Sequence, residues 1–146
     1  MPGYRNLWSD YRLRWKRRSL LWRAIRARRA LALRSDRTAG IGRGQILAFL
    51  CLRNEGLRLP FLLRYYRDLG VGHFLVITHD SDDGSPEWLA AQPDVSLWQA
   101  SGSYRAARFG MDWVNWLLFR YGHTHWCLTV DADELLVYPH APDMKL

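Results

Sequence analysis

The chain has 146 residues, 49% of them hydrophobic and 24% charged. That is one domain's worth of ordinary globular composition, and it excludes wholesale disorder, a collagen-like fibre and a disulfide-stapled miniprotein. The net charge of +7 is unevenly held: residues 1–38 carry twelve basic and two acidic side chains, a net of +10, while the remaining 108 carry nine and twelve, a net of −3. The basic character therefore belongs to an N-terminal arm, which removes most of the support for nucleic-acid binding by the whole chain.

No apolar run approaches the roughly 18 residues of a membrane-spanning helix, and the first thirty residues hold no apolar core of a secretory signal. Cys51 and Cys127 both sit in apolar runs and read as small buried hydrophobes of a reducing compartment. The expected location is cytoplasmic, with membrane association through the arm as the variant.

In chain order, the arm (1–38) interleaves Trp8, Tyr11, Trp15, Leu20, Leu21, Trp22 and Ile25 with its arginines, at a spacing loosely compatible with one helix face. Three readings are open. It is an interfacial anchor for an anionic membrane, a nucleic-acid contact, or a solvated, partly helical extension packed on its own domain. Ser35–Gly44 reads as a linker, drawn at 39–45 between the arm and a domain of residues 46–146, because three glycines fall in its last five residues.

Ile46–Cys51 then reads as a buried strand. Phe61–Leu69 reads as a helix, with Pro60 at its start and Gly70 past its end. His73–Thr78 reads as a second strand. Ser85-Pro86-Glu87 supplies an N-cap, a first-turn proline and a first-turn acid for a short helix ending near Gln92. Val95–Gln99 reads as a third strand, Arg105–Arg120 as a long helix, Trp126–Val130 as a fourth strand and Leu135–Tyr138 as a short fifth. Strands alternating with helices predict an α/β fold on a mostly parallel sheet of four or five strands.

In such a sheet, ligands bind outside the carboxyl ends of the strands. Polar clusters follow three of them: Arg53-Asn54-Glu55-Gly56, then Thr78-His79-Asp80-Ser81-Asp82-Asp83-Gly84, then Asp131-Ala132-Asp133-Glu134. Each alone could be turn chemistry; together they predict one shared crevice. Asp131 and Asp133 are two residues apart, so in an extended chain both face one side. Paired carboxylates suit Mg²⁺ or Mn²⁺, which keep waters and bind phosphate oxygens; the plain alternative is a solvated acidic turn.

Other motifs are excluded by their spacing. Gly40-Ile41-Gly42-Arg43-Gly44 precedes its strand instead of following it, and no Gly-Lys-Ser/Thr is present. Ala91 stands where an EF-hand needs its glutamate. His123-Thr124-His125 lacks a nearby third ligand at zinc-site spacing, and no Gly-x-Ser-x-Gly elbow occurs.

Four stretches, taken in order, resemble family 2 glycosyltransferases: Cys51–Gly56, Tyr66–Phe74, Asp80–Ser85 and Asp131–Leu135. The resemblance runs from about Ile46 to Tyr138. It implies a GT-A fold whose nucleotide-binding half takes a UDP- or GDP-sugar donor and a divalent metal, Mn²⁺ or Mg²⁺, and transfers the sugar to an acceptor that the resemblance does not identify. Carried over residue by residue, Arg53, Asn54 and Glu55 belong to the nucleotide-sugar site, with Asn54 and Glu55 near base and ribose. Asp82 or Asp83 closes the pocket around the base. Asp131 and Asp133 form the metal and diphosphate motif, with Asp133 the more direct ligand. Arg105 and Arg108, at the start of the long helix, are diphosphate contacts or else part of an exposed helix face.

Thr78 and His79 depart from the family, which has an acidic residue followed by Asp or Asn at those two positions. The acceptor half and the catalytic base have no counterpart, so no residue is nominated as base. The expectation is a donor-binding portion truncated after the Asp-x-Asp motif and incomplete as a catalyst. The alternative is a non-catalytic module whose basic arm binds anionic membrane or nucleic acid.

Overall fold

The computed structural model describes residues 7–138. Their elements run α1 (Leu7–Ala27), β1 (Leu31–Ser35), β2 (Ile46–Leu52), α2 (Leu59–Leu69), β3 (Val71–His79), α3 (Ser85–Ala90), β4 (Val95–Ala100), α4 (Met111–Tyr121) and β5 (Trp126–Thr129). The sheet order is β1-β4-β3-β2-β5. β2, β3, β4 and β5 are parallel, and β1 joins β4 antiparallel at the edge. The α/β class and mostly parallel five-strand sheet agree with the sequence reading, although the fifth strand is a different one.

The strands alternate between two buried faces, as a sheet covered on both sides must. Ala48, Leu50, Leu52, Phe74, Val76, Val95 and Leu97 pack beneath α2 and α3. Leu47, Phe49, Leu75, Ile77 and Trp98 pack against Trp113, Val114 and Leu117 of α4. The chain moves from β2 through β3 to β4 in one direction, then returns across to β5. Right-handed crossovers put the returning helix on the opposite face, which is where α4 lies.

Helix α2 buries Leu59, Leu62, Leu63, Tyr66 and Leu69, a stripe at helical spacing. Gly70 ends it with φ +110°. Helix α3 begins at Ser85, but its N-cap is Gly84 rather than Ser85; the Ser85 N–H instead donates to Asp83 Oδ1 at 3.1 Å.

Three sequence expectations are corrected. Leu31–Ser35, read as arm and linker, is a strand whose ladder runs from Leu31 opposite Ala100 to Ser35 opposite Leu97. Ala32, Leu33 and Arg34 are all exposed and Leu31 is only partly packed against the core, so the ladder with β4 is its main support, and Arg34 leaves a charge on the open edge. The boundary drawn at residue 38 thus falls after the sheet has begun. Arg37 is docked as well: its guanidinium donates to Ala90 O at 2.8 Å, to Val95 O at 3.3 Å and to Ser35 Oγ.

Secondly, Leu135–Tyr138 is not a strand. Its backbone is held under α2 by two phenols: Tyr65 Oη donates to Leu136 O at 2.7 Å, and Tyr66 Oη donates to Glu134 O while accepting from Leu136 N–H, both at 3.1 Å.

Thirdly, the helix read as Arg105–Arg120 starts only at Met111. Arg108, Phe109 and Gly110 have φ of +51°, +56° and +81°, which no right-handed helix can include. Arg105 and Arg108 therefore stand in the turn before α4 and not in its first turn.

His73 lies 3% exposed beside Ser96, with its Nε2 hydrogen-bonded to Ser96 Oγ at 2.9 Å. Burial lowers its pKa below the ordinary 6.5, partly offset by Asp94 and Asp36 and reinforced by Arg37. The neutral ring is the folded form, so its stabilising effect is complete above pH 6.5 and declines as the pH falls from there through the lower folded value. The melting temperature is expected to fall more steeply below pH 6.5 in the natural chain than in a His73→Gln variant. Parallel profiles for the two chains would refute the assignment.

Candidate functional site

The loops that leave β2, β3, β4 and β5 meet in one cleft of about 370 Å³, lined by Cys51, Leu52, Arg53, Glu55, His79, Tyr104, Asp131, Ala132 and Asp133. It lies at the carboxyl ends of β2 and β5, where the strand order reverses. In open α/β sheets this switch point is the place where diverging loops leave room for a ligand.

The Asp-x-Asp segment reaches the cleft through a turn, not through an extended strand. Val130 N–H still donates to Phe49 O at 3.2 Å, and Glu134 N–H closes the turn on Asp131 O at 3.1 Å. Val130 and Ala132 are each 9% exposed, so these two apolar side chains anchor the segment. Asp131 and Asp133 point outward beside them into the cleft. The phenol clasp on Glu134 and Leu136 holds the segment from its other end.

Among the other expected residues, Arg53 and Glu55 line the cleft, and Glu55 accepts from Arg58 at 2.7 Å. Asn54, Asp82 and Asp83 do not line it; they tie the β2 loop to the β3 loop. Asn54 Nδ2 donates to Asp82 Oδ1 at 2.8 Å, and Asp82 N–H donates back to Asn54 Oδ1 at 2.9 Å. The Gly56 N–H donates to Asp83 Oδ2 at 2.7 Å. A Cβ on Gly56 would stand 2.9 Å from that same oxygen, so only glycine permits this approach. Hydrogen bonds from Ser85, through its N–H, and from the Gly56 N–H hold the Asp83 carboxyl below its ordinary pKa.

Arg105 lines no part of the cleft. Arg108 is engaged elsewhere: its Nε donates to Asp112 Oδ1 at 2.8 Å. Arg23 of α1 donates to the other oxygen of the same buried carboxylate at 3.2 Å.

Tyr104 is the polar cleft residue to which the sequence analysis does not point. It belongs to the polar stretch after β4, Ser101-Gly102-Ser103-Tyr104, which the same strand-end rule finds. His79, which the sequence places in the polar cluster after the second strand and as a departure from the resemblance, is 7% exposed. It stacks on Tyr104 at 5.6 Å and packs on Trp113 at 5.3 Å between ring centroids. Its Nε2 hydrogen-bonds Gly102 O at 2.9 Å, which fixes the β4 loop over the cleft. Cys51 forms part of the floor. Burial, helped by the charge of Asp131, pushes its thiol up to about 12. It stays protonated near neutrality and is no nucleophile. Tyr104 is raised by burial and by Cys51 and Asp131. Cys51 and Cys127 are both free, and Cys127 is likewise raised by burial.

The lining sets one arginine against three carboxylates, a net charge of −2 at neutrality. An anionic ligand alone is repelled by that balance, whereas a cation is attracted. No group of three or more His, Cys, Asp and Glu side chains among the described residues could hold a metal ion by itself. Asp131 and Asp133 nonetheless fit Mg²⁺ or Mn²⁺, which bind through one or two carboxylates and complete their shells with water and phosphate oxygens. No helix of the described residues is long and apolar enough to cross a membrane. No protein-family model, curated protein or solved structure matches the chain.

Proposed function

We propose that this chain binds a nucleoside-diphosphate sugar together with Mn²⁺ or Mg²⁺, as the donor site of a glycosyltransferase of the family 2 type. The observation that carries the reading is the position of Asp131 and Asp133. They lie at the switch point of a parallel sheet, in an acidic cleft that favours an anionic diphosphate only with a divalent cation between them. Asp131 and Asp133 hold the cation, which neutralises charge on the departing diphosphate when bound. Arg53 pairs with phosphate or ribose oxygens. Tyr104, backed by the buried His79 ring, offers an aromatic face for the base. Asn54, Asp82 and Asp83 act at one remove, by fixing the loop that carries Arg53 and Glu55.

The test is a thermal-unfolding titration with UDP and with GDP, each with and without Mn²⁺. A ligand that binds only the folded chain, at about 100 times its dissociation constant, adds roughly 2.7 kcal/mol. For a domain of this size that is a rise of about 5–10 °C. The rise is expected only when nucleotide and metal are present together. A shift with nucleotide alone would remove the metal from the proposal, and no shift in a cooperatively melting sample would remove the donor site.

A further inference from the structure

Helix α1 has two faces with different surroundings. Ala24 is 1% exposed, Leu20 and Ala27 are half-buried, and Arg23 reaches Asp112 of α4. Just past the helix, Arg28 lies over the Trp116 ring at 5.5 Å. These contacts fix the rotation of α1 against α4. At about 100° per residue, Trp8, Tyr11, Trp15 and Trp22 all fall within roughly 60° of arc on the side away from that contact. Their exposures are 76%, 55%, 60% and 66%. Four large aromatic side chains thus stand in solvent in one row, about 21 Å long from residue 8 to residue 22. Arg18, Arg26 and Arg29 line the groove beside Trp15 and Trp22. The helix as a whole has seven basic residues against Asp10, a net charge of +6.

We infer that this face of α1 is a docking surface for an anionic lipid bilayer, on which the helix lies flat. Indole and phenol rings favour the boundary between headgroups and acyl chains, and guanidinium groups favour the phosphates just above it. Long arginine stems let both occur on one face, because the stem packs beside the rings while the charge stays in the headgroup layer. The helix is too basic to span a bilayer, so its place is the surface. The seven-residue spacing of Trp8, Trp15 and Trp22 could also serve a helix pair between two copies. That pairing would set Arg18 and Arg26 against their equivalents, with +6 facing +6, and like charges disfavour it.

The test is flotation of the full chain with phosphatidylcholine vesicles, with and without phosphatidylserine, at low and at high salt. Binding is expected only with phosphatidylserine and is expected to weaken at high salt. Replacing Trp8, Trp15 and Trp22 together by Ser should lower the vesicle affinity at least tenfold. Trp126→Ser, at a tryptophan 80% exposed on β5, should leave it unchanged. An Arg12→Gln/Arg18→Gln/Arg26→Gln variant removes no buried group. It should lose about a hundredfold, at roughly fivefold for each basic residue near an anionic surface, with an unchanged melting curve. Equal binding by the natural chain and the arginine variant, or no binding to either vesicle, would overturn the inference. So would tryptophan-dependent dimerisation, or tryptophan-dependent binding of a labelled oligonucleotide, in the absence of vesicle binding. The nucleotide shift is read on the same variants and is expected to persist, which separates this surface from the cleft.

Discussion

Replacing Asp131 and Asp133 together by Ala is expected to abolish the metal-dependent rise in melting temperature, about 5–10 °C at saturating nucleotide, while the apo melting curve moves little. Both residues are exposed, and the segment is anchored by Val130, Ala132 and the Tyr65 and Tyr66 phenols. Removing two carboxylates turns the cleft lining from a net of −2 to 0, so the attraction for a divalent cation goes with its ligands. The single variants discriminate further. If Asp133 is the more direct ligand, Asp133→Asn should cost more of the Mn²⁺-dependent shift than Asp131→Asn. A further sign concerns Cys51, whose thiol is raised in part by the Asp131 charge. Asp131→Asn should lower that pKa, read as faster alkylation of the thiol at alkaline pH. Undiminished metal-dependent binding by the double variant would place the cation elsewhere.

Gly110→Ala is expected to lower stability by about 2–5 kcal/mol, because a left-handed backbone costs a residue with Cβ roughly 1–2 kcal/mol and forcing atoms into a packed site adds about 1–3. Gly110 has φ +81°, and its added Cβ would stand 2.6 Å from Cys51 Sγ and 3.1 Å from Tyr104 Cε2. The fall in melting temperature should be roughly 5–15 °C. Because both collisions are with residues of the cleft wall, nucleotide affinity should fall as well. Denaturant melts of Gly110→Ala, Cys51→Ala and the double variant form a cycle. The double variant should recover the collision with sulfur and retain the backbone cost. If the two single losses simply add, the contact with Cys51 is not the cause.

Much of the architecture is written locally. Ile46–Leu52, Val71–His79 and Val95–Ala100 are apolar runs bounded by turn residues, and the sheet places all three within two residues of where the runs predict them. Pro60 and Gly70 bracket α2 because fixed φ and freedom for positive φ are properties of single residues. The strand-end rule likewise located Arg53, Glu55, Asp131 and Asp133, since polar side chains at the ends of buried strands have little choice but the rim.

The remaining features were decided by partners distant in sequence. Leu31–Ser35 carries no buried face of its own; it is a strand because β4 offered an open ladder. Leu135–Tyr138 has strand composition, yet the hydroxyls of Tyr65 and Tyr66 take its backbone groups and hold it as a clasp. The apolar spacing of Arg105–Arg120 predicts one helix, but the left-handed backbone at Arg108, Phe109 and Gly110 makes a turn before Met111, and Arg105 and Arg108 stand outside the expected diphosphate site. Asn54, Asp82 and Asp83 have the composition of ligand contacts and the geometry of a brace between two loops. Aromatic residues and arginines in α1 were visible from the composition of the arm. Which of them face solvent was settled by the docking of Ala24 and Arg23 on α4. Side-chain pattern and single-residue backbone preference act over a few positions and can be read from the chain, whereas hydrogen-bond partners and close packing at long range exist only once it has folded.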